Sequence, residues 1–134
     1  MGAPMTLFDL AQRGMSAQLV RMNAAASNLA NAGTVSSSEE GTYRALRPVF
    51  AEELDKQSGL ATVNVHAVIR ENTRAIKEHN PDHPLADANG DIWTTPVDEN
   101  AEMVEMLESS RQYQNLVEAL STAKQLMLDT MRMK

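Results

Sequence analysis

The sequence contains no cysteine, and aromatic side chains make up only 4% of it. The absence of cysteine excludes a disulfide framework, a thiolate zinc site and a cysteine nucleophile. No apolar run approaches the roughly 18 residues of a membrane span, and no basic segment leads into an apolar one at the start, so we do not expect a cleavable secretory signal. Basic residues are also few, 12 against 18 acidic ones, and the net charge of -6 argues against a nucleic-acid-binding protein.

Methionine and alanine are abundant instead, with 9 Met in a chain of 134 residues. A core that is poor in rings and rich in Ala, Leu and Met favours the packing of helix on helix. The chain divides into three parts: an N-terminal helix in residues 1–32, an extended loop and β-rich insert in 33–97, and a C-terminal helix in 98–134. The length suits a single domain.

The first helix is predicted from about Thr6 to Ala32, where apolar residues lie three and four positions apart. Thr6 followed by Asp9 resembles a capping box, and Gly33 supplies a stop. The apolar positions form one stripe, which consists of Phe8, Ala11, Met15, Leu19, Met22, Ala26 and Leu29.

The last helix is predicted from about Glu99 to Met133, with Pro96 and Asp98 marking its start. Its apolar positions repeat every seven residues, at Met106, Tyr113, Leu120 and Met127, with an interleaved set at Met103, Ser110, Val117, Lys124 and Met131. Repeats of seven in both helices predict that they pack as an antiparallel or bundled coiled coil. The expected fold class is therefore mainly α, with long terminal helices in a coiled coil and a small β-rich insert.

The insert carries short strand signals. A strand candidate at 43–50 is interrupted by Pro48, and apolar residues alternate with polar ones from Ala61 to Ile69, the clearest strand pattern in the chain. Asn89-Gly90 is a hairpin-turn dipeptide that leads into a strand at 91–95. The prolines in Asn80-Pro81 and His83-Pro84 are expected to keep the preceding stretch extended.

The sequence offers no credible active site. His79 and His83 lie four residues apart, but Pro81 and Pro84 break any helix that would place both on one metal, and no third ligand is evident. The segment 87–91 resembles a calcium loop only faintly, because its glycine falls at the fourth position, and a hairpin turn explains it better. We find no phosphate-binding loop and no nucleophile elbow. The sequence therefore predicts no enzyme, no cofactor and no metal.

Three asparagines lie near the end of the first helix, at Asn23, Asn28 and Asn31. Asparagine has a poor helix propensity, so the cluster needs a reason. The side chains could cap a fraying helix end, or their amides could bond to the helices of neighbouring subunits.

Those asparagines belong to a recognisable pattern. The segment 23–32, NAAASNLANA, resembles the signature near the N-terminus of flagellar rod and hook proteins. The segments 102–104, 110–114 and 123–127 resemble the terminal helix of the same family. Within that family, the run HPLADANG at 83–90, followed by Pro96-Val97, is similar to that of a proximal rod component.

The resemblance implies a structural subunit of the bacterial flagellar basal-body proximal rod. The two helices would form an inner coiled-coil domain lining a helical tube that transmits torque and conducts exported subunits, with the insert outside. Implied partners are copies of itself, other rod proteins, membrane-ring or adaptor proteins at the rod base and the flagellar type III export apparatus, with no nucleic acid and no small-molecule substrate. Export would occur without a cleaved signal peptide, to a rod that spans the periplasm.

The predicted interface residues follow from the two stripes. Met15, Leu19, Met22 and Leu29 are expected to face Met106, Tyr113, Val117, Leu120 and Met127 across the helix seam and to form the subunit interface. Asn28 and Asn31 are expected to bond to the helices of neighbouring subunits. Two alternatives remain: another axial component or rod–ring adaptor of the flagellum, and a self-contained small helical binding module.

Overall fold

A computed structural model describes residues 6–133, which form two long helices and two small antiparallel sheets. In chain order the elements are α1 (Leu7–Asn31), β1 (Val35–Ser36), β2 (Leu46–Leu54), β3 (Ala61–Arg70), β4 (Ile76–His79), β5 (Asp91–Thr94) and α2 (Glu99–Arg132). Helices account for 46% and strands for 23% of the structure.

The ends of both helices follow from side chains that satisfy free backbone groups. At α1, the Thr6 side chain accepts a hydrogen bond from the Asp9 N–H and the Asp9 carboxylate accepts one from the Thr6 N–H, which confirms the predicted capping box. Gly33, at a φ of 84°, turns the chain away just beyond the helix. The Asp98 carboxylate caps α2 by accepting from the next backbone N–H groups.

The two helices pack antiparallel, with Asn28 beside Glu102, Arg21 beside Glu105 and Gly14 against Leu116. At 34 residues, α2 is longer than α1 at 25. In this register, the start of α1 lies near residue 123 of α2. The side chains at 124–133 lie beyond that level and all are exposed.

The predicted coiled coil is wrong. The buried residues of α1 are Ala17, Ala24, Ala25 and Asn28. Ala17 and Ala24 lie roughly 140° and 160° around the helix axis from Met22, which is near the centre of the expected stripe. On α2 only Glu102 and Ser109 are fully buried, so no apolar seam repeats every seven residues. The physical reason is that small residues let α1 approach both α2 and the β2–β3 hairpin, and two different elements share its buried side.

The longer sheet is the β2–β3 hairpin, paired from Leu46↔Arg70 to Leu54↔Ala61. Its register shifts after Val49↔Ala67, because Phe50 pairs with Val65 and His66 becomes an extra residue in a bulge. The strand predicted from alternation is confirmed as β3. The candidate at 43–50 starts later than expected and runs through Pro48, which a strand with only one partner tolerates.

The second sheet has the order β1-β5-β4, with all pairs antiparallel. Gly90, at a φ of 79°, ends the loop between β4 and β5, but residues 80–90 form the whole loop instead of a two-residue turn. The extended stretch expected around Pro81 and Pro84 is wrong. The His83 N–H bonds to the Asn80 carbonyl and the Ala86 N–H to the His83 carbonyl, so the prolines begin consecutive turns.

Candidate assembly surfaces

Two of the most deeply buried polar side chains meet where both helices contact the base of the hairpin. This polar junction comprises Asn28, Tyr43, Arg47 and Glu102, with the backbone of Leu46. Asn28 is 0% exposed and Glu102 only 1%. The Asn28 amide nitrogen donates to the Leu46 carbonyl at 3.0 Å and to Glu102 Oε2 at 3.1 Å. Its oxygen accepts from the Tyr43 hydroxyl and the Leu46 N–H, each at 2.7 Å, so the amide's bonding capacity is filled.

Arg47 balances the buried charge of Glu102. Glu102 Oε1 accepts no hydrogen bond of good geometry from residues 6–133, but Arg47 Nη2 lies 2.5 Å from it. Burial by itself would lower the pKa of Arg47, whereas the Glu102 carboxylate, with Glu71 and Glu105 further away, raises that pKa above its ordinary value. A carboxylate this deeply buried is stable only with such a partner, so Arg47 ties β2 to α2.

A second ion pair fixes the register of the helices. Arg21 Nε lies 2.7 Å from Glu105 Oε1, and its Nη2 lies 3.9 Å from Glu108. The bond to Glu105 raises the pKa of Arg21. Nothing in this arrangement is a nucleophile facing a cleft. The groups join α1, α2 and β2 through hydrogen bonds and ion pairs.

The predicted interface residues lie at the margins of this packing. Seven of the predicted interface residues are half-buried: Met15, Met22, Leu29, Asn31, Met106, Tyr113 and Leu120. Leu19 and Val117 are each 42% exposed and Met127 is 51% exposed. We call the residues Phe8, Ala11, Met15, Leu19, Met22, Ala26 and Leu29 the α1 stripe. None of them is fully buried in the single chain.

The asparagines have mainly local roles. Asn31 donates to the Ser27 carbonyl at 2.8 Å, and Asn23 is exposed. The four hydrogen bonds of Asn28 are all made inside its own chain, and one of them goes to Glu102 of α2. One feature of the sequence pointed to the junction, an asparagine inside a predicted helix. No pattern in the sequence indicated that Arg47 would contact Glu102.

Large apolar side chains are exposed at both ends of α2. We call Met103, Val104 and Leu107 the α2 head; they are 46%, 61% and 66% exposed. We call residues 124–133 the α2 tail, in which Leu126 and Met131 are 62% and 66% exposed. Clustered apolar surface of this kind marks interaction sites.

His79, at the end of β4, and His83, in the loop that follows, make separate contacts. His79 Nδ1 lies 3.0 Å from Asp91 Oδ1, and Lys77 Nζ lies 3.4 Å from the other carboxylate oxygen. The hydrogen bond with His79, followed by Lys77, lowers the pKa of Asp91. His83 Nδ1 instead accepts from the Leu85 N–H. Residues 6–133 hold no group of three or more His, Asp or Glu side chains arranged to bind a metal ion.

Two family models match this chain, and they match it at its helices. The model described as flagella basal body rod protein matches residues 8–35, and the model described as flagellar basal body rod FlgEFG protein C-terminal matches residues 89–133. Within residues 6–133, neither helix combines the length and apolarity needed to cross a bilayer.

Several proteins are similar to this chain along most of its length. The flagellar basal-body rod protein FlgC of Salmonella typhimurium is 41% identical over 131 residues, which cover 96% of each chain. The protein of the same name from Escherichia coli O157:H7 is 40% identical with the same coverage. That of Aquifex aeolicus is 36% identical over 88% of this chain and 87% of its own.

Proposed function

Because this chain belongs to the FlgC family of flagellar basal-body rod proteins and is a structural rod subunit of the basal body, we propose that it assembles with copies of itself and with other rod proteins into a helical tube. The observation that carries the proposal is the 41% identity over 96% of the chain. The tube transmits torque and conducts exported subunits, and the chain performs no catalysis.

Each of the three parts of the sequence has its own place in the proposed tube. Residues 1–32 and 98–134 form the inner domain of the tube, and residues 33–97 lie outside it. Two features support this arrangement: the helices pair with each other, and the hairpin packs on α1 away from the α1 stripe, which leaves the stripe partly exposed.

The α1 stripe and the half-exposed side of α2 form the subunit interface. Its members are Met15, Leu19, Met22, Leu29, Met106, Tyr113, Val117, Leu120 and Met127, with Asn31 at the end of the stripe. These side chains leave apolar surface uncovered in the single chain, and burying it on a neighbour is favourable by about 25 cal/mol per Å². Because the two surfaces differ, contact between them is head-to-tail, and such a contact builds a helical tube when its rotation does not close into a ring.

Further partners follow from the position in the rod. They are membrane-ring or adaptor proteins at the rod base and the flagellar type III export apparatus, which delivers the chain to the periplasm-spanning rod without cleaving a signal peptide. The net charge of -6 supports partners other than nucleic acid.

The test is complementation in the bacterium that carries the gene. Deleting the gene is expected to abolish motility and to leave basal bodies without a complete rod, as seen by electron microscopy. Restoring the gene as Leu19→Asp should leave the thermal unfolding of the purified chain unchanged but fail to restore motility. Leu54→Asp, at a residue 60% exposed on the hairpin, is the matched control and should restore it. Full motility of the deletion strain would refute the proposal.

A further inference from the structure

A polar groove lies where the end of α1 meets the chain between β1 and β2. We call it the arginine groove, since Arg44 and Arg70 line it. Its volume is about 530 Å³, within the roughly 300–1,000 Å³ that small-molecule sites span. The other side chains on its walls include Asn31, Thr34, Ser36 and Thr42. Amide and hydroxyl groups beside two arginines suit a polar, negatively charged ligand better than an apolar one.

Both guanidinium groups of the groove are held in place by neutral partners. Arg44 donates to three backbone carbonyls, at 2.6, 3.0 and 3.2 Å. Arg70 lies over the Tyr43 ring, 4.9 Å from its centroid, and donates through Nη1 to the Arg44 carbonyl at 2.9 Å. A side chain that is already oriented loses little conformational freedom when a ligand binds. The two arginines are therefore prepared for an anion before it arrives.

The groove is positively charged, although the whole chain carries a net charge of -6. Among residues 6–133, no carboxylate forms an ion pair with Arg44 or Arg70. Glu40 is the acid on the groove wall, and it is exposed. The neighbouring acids Glu39 and Glu71 do not line the groove. Two arginines therefore face one glutamate, and an anionic ligand would neutralise the excess positive charge.

We propose that the arginine groove binds the phosphate group of a small polar phosphoester, with a sugar phosphate as the model ligand. The fork of a guanidinium matches two phosphate oxygens, and a phosphate has enough oxygens for two arginines. Arg70 has N–H groups left for this contact, because only its Nη1 donates to another group within residues 6–133. The hydroxyl and amide side chains of the groove then bind the polar part of the ligand. No subunit contact enters this inference, so it goes beyond the proposed function.

Nuclear magnetic resonance titration of the isotope-labelled full-length chain tests the site. The probes are glucose 6-phosphate, inorganic phosphate and glucose, each added at the same ionic strength because salt screens exposed charges. We expect glucose 6-phosphate to shift the amide signals of residues 34–44 and 70 until they saturate, and to bind several-fold more tightly than inorganic phosphate. Glucose alone should shift none of them. Shifts spread evenly over the surface, or equal affinity for the two phosphates, would overturn the proposal.

Variants separate the role of Arg70 from the effect of charge in general. Arg70→Gln should weaken the binding of glucose 6-phosphate about tenfold or more, which is the size of a hydrogen bond to a charged group. Arg111→Gln removes the same charge at an exposed position of α2 and is the matched control, so it should leave the affinity unchanged. Equal losses in these two variants would contradict the proposal.

Glu40→Gln supplies a test in the opposite direction. It removes the acid from the groove wall, and we expect it to bind glucose 6-phosphate several-fold more tightly than the natural chain does. A variant that folds poorly would bind less, so this gain cannot come from damage to the structure. No gain in Glu40→Gln would show that the charge of the groove does not attract the phosphate.

Discussion

At the scale of single residues, Asn28 decides how the helices meet the hairpin. Replacing it with alanine would leave Glu102 Oε2 and both backbone groups of Leu46 without their partner at a position that is 0% exposed. Unpaired buried groups cost about 1–3 kcal/mol each. We expect Asn28→Ala to lower the free energy of unfolding by about 3 kcal/mol in urea titration.

The matched control is Asn23→Ala, at an exposed position on the same helix. It should change stability by less than about 0.5 kcal/mol. If the two variants were equally stable, the polar junction would contribute nothing, and the hairpin would have to be held by apolar contacts with α1.

The pKa of Asp91 gives a prediction about pH. His79, then Lys77, holds this pKa below its usual 3.8 in the folded chain. The folded state therefore binds the proton less readily than the unfolded state does. The stabilisation is complete above the unfolded pKa and is lost as the pH falls through the lowered folded value. The difference in unfolding free energy between the natural chain and Asp91→Asn should be constant at neutral pH and shrink below about pH 4. A difference that stays constant to pH 2 would contradict this.

At the scale of elements, Gly14 sets the distance between the helices. A Cβ atom at this position would lie 3.1 Å from Leu116 Cδ1. Gly14→Ala gains about 1 kcal/mol of helix propensity, which offsets the tight contact. Gly14→Val adds more atoms against Leu116, and we expect it to lower the free energy of unfolding by about 1–3 kcal/mol.

Ala26→Val tests the same β-branching at an exposed position of α1. It should cost less than about 1 kcal/mol in the same urea titration. If both valine variants lost the same amount, the effect would come from helix propensity and the close approach of the helices would have no part in it.

Local signals in the sequence predicted the elements far better than their packing. Caps at Thr6 and Asp98 and alternation from Ala61 predicted α1, α2 and β3 because these signals depend on neighbours in the chain. The coiled-coil prediction was wrong because the spacing of apolar residues shows that a helix has an apolar stripe. It does not show which other element packs on that stripe. Arg47 and Glu102 lie far apart in the sequence. Arginine and glutamate occur at many positions of this chain, so the sequence alone does not indicate which two of them form a pair.

At the scale of the whole molecule, the folded chain buries one part of its apolar surface and leaves another part exposed to solvent. The core is small, with Ala17, Ala24, Ala25, Ala45 and Ile92 as its buried apolar residues. Large side chains on the α1 stripe and on both ends of α2 remain partly or largely exposed. A free monomer would not need such a surface, whereas a subunit of an assembly buries it on its neighbours.

A truncation separates these two uses of the surface. Ending the chain after Ala123 removes the α2 tail, whose described side chains are all exposed. Because those residues lie beyond the packed region, we expect the free energy of unfolding to change by less than about 1 kcal/mol. The same truncation should prevent complementation of motility in the deletion strain, since exposed apolar side chains of the tail are expected to be buried on a neighbouring subunit of the rod. A loss of several kcal/mol would show instead that the tail packs within its own chain, and unchanged motility would show that assembly does not use it.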